Sequence, residues 1–196
     1  MRVLVVHAHP VEESFNRALF TTVVETLTAG GHEVRPLDLY AEGFEPALSD
    51  AERRRYDDVG GNTGGIEDHV AHIQWAEALV FVYPTWWYGL PAMLKGWLDR
   101  VWVPGVAFLL PPDGKGPIQG GLPNIRWVVG VSTYGAPWWW TRWVGDPGRR
   151  TILRGLKPLC HHRVRSRWFA LYLMDTASEA KRERFLARVR HAFERF

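Results

Sequence analysis

The sequence has a single cysteine, Cys160, among its 196 residues. One thiol excludes an intrachain disulfide and suits a reducing compartment. No apolar run approaches the roughly 20 residues that a membrane helix needs, and Met1–Val6 is too short for the core of a secretory signal. These absences predict a cytoplasmic protein with no membrane insertion. The chain also lacks the G-x-G-x-x-G of a dinucleotide-binding turn and the Gly-Lys-Ser/Thr of a P-loop. Its glycine-rich stretch, Gly60–Gly65, follows no strand pattern and precedes no lysine, so it reads as a surface loop. No metal site is expected. His69 and His72 lie three residues apart with no acidic partner on that helix face and read as solvated, and His161-His162 lies among arginines, a poor setting for a cation.

Charge is present but unevenly spread. Residues 142–196 hold 14 of the 24 basic residues and only 5 of the 21 acidic ones. The tail reads as a solvated basic helix face, with no nucleic-acid partner expected. Tryptophan is abundant: ten of the eleven lie between Trp75 and Trp143. Most should fill the core, because large aromatics dominate burial. Trp86-Trp87-Tyr88 and Trp138-Trp139-Trp140 are too dense for that alone and suggest a flat aromatic site or a subunit interface.

Strand and helix patterns alternate along the chain, the mark of a mainly parallel sheet covered on both faces. Strands are expected at Arg2–His7, Glu33–Leu39, Leu79–Tyr83, Arg126–Ser132 and Val164–Leu173. Helices are expected from Ser14 to Ala29, at Ser49–Asp57, Ile66–Ala78, Pro91–Val101 (with proline in its first position) and Ser178–Phe196. Pro104–Pro123 reads as a Gly/Pro-rich excursion. Nothing separates domains, so residues 1–196 read as one.

Ligands of open parallel sheets sit at the carboxyl ends of the strands, where strand order reverses. Three segments leave strands there. His7–Asn16 joins a strand to a helix whose free amides suit phosphate, with Ser14, Asn16 and His9 adding donors; Ser14 could equally be a simple N-cap. Pro84-Thr85-Trp86-Trp87-Tyr88-Gly89-Leu90-Pro91 places three aromatics beside backbone amides, the apolar ledge and donors that a flavin ring needs. Ser132-Thr133-Tyr134-Gly135-Ala136-Pro137 brings hydroxyls and a glycine to the same edge.

Together these loops resemble the flavodoxin-like NAD(P)H:quinone oxidoreductases, the family of DT-diaphorase and its shorter bacterial relatives. The matching pieces are H-x-x-x-x-S-F-N at His9–Asn16, Tyr83–Trp97, the turn Ser132–Gly135, and Asp38-Leu39-Tyr40. The resemblance implies a three-layer α/β sandwich with a five-stranded parallel sheet of order 2-1-3-4-5. It implies FAD or FMN, leaning to FAD, with NAD(P)H as donor, a quinone-like acceptor and ping-pong hydride transfer. His9, Ser14, Phe15 and Asn16 would hold the phosphate and ribityl chain. Pro84, Thr85, Trp86, Trp87 and Tyr88 would support the ring, and Thr133, Tyr134 and Gly135 would meet its other edge. Trp87, Tyr88 and Trp138 would wall the acceptor, and Phe108, with Leu110, would close the pocket of a second copy in a homodimer. Where larger members carry a proton-relaying Tyr and His, this chain has Trp138 and Val144, leaving Tyr134 or water as proton source. The tail arginines could hold the extra phosphate of NADPH. Alternatives are a one-electron flavodoxin-type carrier and an accessory subunit of a potassium efflux system; azo and nitro compounds are further acceptors.

Overall fold

The computed structural model describes residues 1–111 and 115–196. The chain runs β1 (Arg2–His7), α1 (Phe15–Ala29), β2 (Glu33–Asp38), α2 (Asp50–Arg54), α3 (Glu67–Trp75), β3 (Ala78–Thr85) and α4 (Ala92–Val101). It continues through β4 (Phe108–Leu109), β5 (Gln119–Gly120), β6 (Trp127–Tyr134), α5 (Trp138–Val144) and α6 (Pro147–Arg150). A π-helical turn (Thr151–Gly155) and a 3₁₀ turn (Lys157–Leu159) lead to β7 (Arg165–Tyr172) and α7 (Glu179–Phe193). Five strands form one parallel sheet in the order β2-β1-β3-β6-β7. This is the expected 2-1-3-4-5 order, because β4 and β5 form a separate two-residue ladder within the Pro104–Pro123 excursion. Residues 112–114 of that excursion lie outside the described residues. Pro91 precedes α4 as its N-cap, where the sequence placed it in the first turn.

Strand periodicity divides the core. Val3 and Val5 of β1 face α1 and α7, with Leu19, Val23, Phe185 and Val189. Leu4 and Val6 face the other way, toward Val70 and Ile73 of α3 and Leu94, Trp97 and Val101 of α4. Successive strand side chains point to opposite faces, so an unbroken apolar run is what a strand covered on both sides requires. Helix α1 forms because Ser14 Oγ accepts the Arg17 amide at its start, and apolar residues recur every fourth position to Leu27. Among the described residues, no helix is long and apolar enough to cross a membrane.

The expectation that most tryptophans fill the core is overturned. Trp97 and Trp102 are buried, but Trp86, Trp87, Trp138, Trp139, Trp140 and Trp143 are exposed. Four of those six sit on α5, a short helix where Trp140 meets Trp139 edge-on and lies tilted against Trp143. His69 and His72 are also packed where solvated histidines were expected. His69 meets Phe44 edge-on and lies 3.4 Å from Trp97 Nε1, and His72 Nδ1 lies 3.3 Å from Arg35. Cys160 is buried, its Sγ 3.3 Å from the Leu156 carbonyl, and burial pushes its thiol up to about 12.

Gly130, in the middle of β6, pairs with Trp168 of β7. A Cβ at Gly130 would lie 2.0 Å from the Trp168 ring, so glycine there makes room for the indole that crosses the sheet to Tyr83. Gly130→Ala should therefore lower unfolding stability by about 1–3 kcal/mol in a denaturant titration. Trp168→Leu should relieve much of that cost in the double variant; simple additivity of the two costs would refute the steric account.

Candidate active site

Parallel pairing puts the ends of β1, β3 and β6 on one edge. His7 pairs with Val82, and β3 runs three residues further to Thr85, which pairs with Tyr134. Pro84, Thr85, Thr133 and Tyr134 are therefore strand residues, where the sequence suggested loops. Each strand is longer because its neighbour continues to offer backbone partners.

Beyond Thr85 the chain reverses tightly. Gly89 donates to the Trp86 carbonyl at 3.0 Å, and Trp87 and Tyr88 both take positive φ, 48° and 61°. Two consecutive left-handed residues define a type I′ turn, which normally selects Asn and Gly. Here two aromatics occupy it, at roughly 1–2 kcal/mol each. The turn is braced from outside: Gly148 donates to the Tyr88 carbonyl at 3.3 Å, and Trp140 Nε1 donates to the Tyr88 hydroxyl at 2.7 Å. Trp87 is 95% exposed and Trp86 42%.

Cavities lie on both sides of this ledge. One of about 220 Å³ is lined by Thr85, Trp87, Tyr88, Tyr134, Gly135 and Ala136. The other, about 510 Å³, is lined by Pro84, Thr85, Trp86, Trp87, Thr133, Gly135, Met174 and Asp175.

The first loop approaches from the side. The His9 ring lies 5.9 Å from that of Trp86, and its Nδ1 lies 3.1 Å from the Val11 amide and 3.3 Å from the Val11 carbonyl. Burial lowers the His9 pKa, which favours the neutral imidazole. Ser14 caps α1, and Phe15 packs on Phe185 across the helix pair. Asn16 is buried; its Nδ2 reaches Thr133 Oγ1 at 3.5 Å, while its Oδ1 has no partner. Asn16 thus touches a residue that walls the larger cavity and carries a free acceptor.

Beneath the edge, the Tyr134 hydroxyl donates to Asp146 Oδ1 at 3.1 Å. Burial and the neighbouring Asp146 carboxylate raise the Tyr134 pKa, so the phenol stays protonated. Thr85 Oγ1 and Ser132 Oγ lie 2.8 Å apart. Trp138 is exposed at the start of α5 and lines neither cavity, and Phe108 is half-buried in β4.

A sequence model described as the flavodoxin-like fold matches residues 1–194. The chain belongs to the flavodoxin-like fold family. Within that family it is 34% identical to ribosyldihydronicotinamide dehydrogenase (quinone) of Pongo abelii over 154 residues, covering 66% of this chain and 63% of that protein. It is 34% identical to NAD(P)H dehydrogenase (quinone) 1 of Rattus norvegicus over 152 residues, covering 69% of this chain and 54% of that protein. The chain therefore spans less than two thirds of the length of these curated relatives. Among solved structures, the NAD(P)H:quinone oxidoreductase from Methanothermobacter marburgensis matches with TM-score 0.81 and 28% identity over 99% of this chain and 98% of that one.

The flavodoxin-like sheet also brings in residues that sequence reasoning missed. Met174 and Asp175 follow β7 and line the larger cavity, with Met174 donating to the Tyr134 carbonyl at 2.9 Å. Gly148 and Trp140 brace the turn, and Asp146 holds Tyr134. The order of Asp146-Pro147-Gly148 was visible, but nothing local connects it to a turn some sixty residues earlier in the chain.

His7, at the end of β1, is fully buried, stacked 4.7 Å from Phe20 and 3.3 Å from Asp38 Oδ2, which also pairs with Arg17. Burial, only partly opposed by Asp38, pushes its imidazole down from 6.5 to about 4. The unfolded chain therefore takes a proton that the folded chain refuses. The associated stability is complete above pH 6.5 and is lost as pH falls toward 4, by about 3 kcal/mol. His7→Gln should flatten the stability profile across that interval relative to the parent; parallel profiles would show that His7 titrates normally.

Proposed function

We propose that this chain is a flavin-dependent NAD(P)H oxidoreductase that passes two electrons to a quinone-like acceptor. The observation that carries this reading is the open aromatic ledge. Trp86, Trp87 and Tyr88 stand beside cavities of about 220 and 510 Å³, and their rings do not fill them. The larger volume lies within the usual range for a cofactor site. The unpartnered Oδ1 of buried Asn16, beside Thr133, supports a hydrogen-bonding guest there, since a buried acceptor is costly to leave unmatched. The names of the relatives point to the same chemistry.

In this proposal residues 1–196 act as one flavin-binding domain. His9, Ser14, Phe15 and Asn16 hold the phosphate and ribityl chain. Pro84, Thr85, Trp86, Trp87 and Tyr88 support the ring, and Thr133, Tyr134 and Gly135 bound its opposite edge. FAD, or alternatively FMN, would supply reversible two-electron chemistry when bound. Trp87 and Tyr88 line the place that nicotinamide and acceptor occupy in turn, which gives ping-pong kinetics. Trp138 and the partner's Phe108 complete the acceptor pocket in a homodimer. Burial keeps Tyr134 neutral and Asp146 accepts its only O–H, so a guest meets the hydroxyl oxygen as an acceptor while water supplies the proton.

Mass spectrometry of the small molecule released on denaturation should identify the flavin. Initial rates with NADPH and menadione should give parallel double-reciprocal lines. A yellow protein that neither NADH nor NADPH bleaches would defeat the enzymatic reading. Asn16→Ala should weaken flavin retention about tenfold, measured by dialysis against apoprotein. Replacing Trp87-Tyr88 with Asn-Gly should raise thermal stability by relieving the turn while sharply increasing KM for the acceptor; unchanged KM would remove these side chains from the acceptor site.

A further inference from the structure

A third cavity, of about 260 Å³, lies behind the braced turn and is lined by Arg142, Gly145, Asp146, Arg149, Arg150 and Arg154. Four arginines and one carboxylate share its wall, and Arg149 and Arg142 act electrostatically on that carboxylate. Asp146 is 2% exposed; its Oδ1 accepts from Tyr134, and its Oδ2 has no partner in the protein. Among the described residues none of the four arginines forms an ion pair; Arg142 lies over the Trp138 ring at 5.9 Å.

The backbone that gathers these charges is itself unfavourable. Asp146 is left-handed at φ 48°, and α6 gives way to the π-helical turn that carries Arg154. Non-glycine left-handed residues and π-turns both concentrate at functional sites. Like charges brought together repel, and guanidinium does not relieve this by losing its proton. A segment that combines strain, repulsion and an almost wholly polar cavity calls for a counter-anion.

We propose that Arg142, Arg149, Arg150 and Arg154 form a subsite for a phosphate monoester, for which guanidinium offers matched, bidentate donors. The subsite adjoins the proposed ring site, since Asp146 holds Tyr134 and Gly148 holds Tyr88. On the oxidoreductase reading, the monoester delivered there is the 2′-phosphate of NADPH, and the chain prefers NADPH to NADH. That source rests on the proposed function; the phosphate chemistry does not.

Binding without turnover separates the two. Inorganic phosphate should raise the melting temperature of the protein, and adenosine 2′,5′-bisphosphate should bind about tenfold more tightly than adenosine 5′-monophosphate by calorimetry. Both effects should vanish in Arg150→Gln/Arg154→Gln and be weakened but not abolished in Arg150→Lys/Arg154→Lys, which keeps the charge and loses the bidentate fork. Arg142→Gln provides a second test if the double variant does not fold. Phosphate stabilisation without nucleotide preference would support the subsite and assign free phosphate as its occupant, overturning the NADPH source. Phosphate binding that persists in the glutamine variants, or no binding by the parent, would overturn the subsite. Since no electron transfer is read, failure of the redox reading leaves this result intact.

Discussion

Trp87 and Tyr88 adopt backbone conformations that residues with a Cβ avoid, and the surroundings of the site are arranged around that fact. A turn disfavoured by roughly 1–2 kcal/mol per residue persists only where its neighbours over-determine it. Two hydrogen bonds to Tyr88 do so, one from the Gly148 amide and one from the Trp140 indole. Both donors come from the segment after β6, so the ledge on β3 is held by a part of the chain with which it shares no local sequence logic. The return is a broad aromatic face held clear of the core.

That dependence explains what could and could not be read from the sequence. The inner strands were legible because burial on both faces demands unbroken apolar runs, as in Val3–Val6 and Ala78–Tyr83, whereas the edge strands β2 and β7 are only partly buried and carry no such run. Helix α1 was legible from Ser14 and the spacing Phe15, Leu19, Val23, Leu27. The three converging loops followed from the parallel topology alone. Residues 138–163 were not legible. Their short α, π and 3₁₀ turns carry no sustained period, and the order Trp138-Trp139-Trp140 suits neither a half-buried strand nor an amphipathic helix. Long-range hydrogen bonds fix that region, and those leave no periodic trace.

In the same region Asp146 draws the Tyr134 phenol into a buried hydrogen bond beside the ledge. Burial raises the pKa of Asp146 above the ordinary carboxylate value, opposed by Tyr134, Arg149 and Arg142. A carboxylate placed between a buried phenol and a cluster of guanidiniums links the two cavities through one side chain.

Cys160 has a bearing on the chemistry proposed. Quinones are electrophiles that arylate sulfur by conjugate addition, and the attacking species is the thiolate. With its thiol pushed up to about 12 by burial and its Sγ directed at the Leu156 carbonyl, Cys160 stays protonated at neutral pH. A chain built this way offers a Michael acceptor no thiolate of its own.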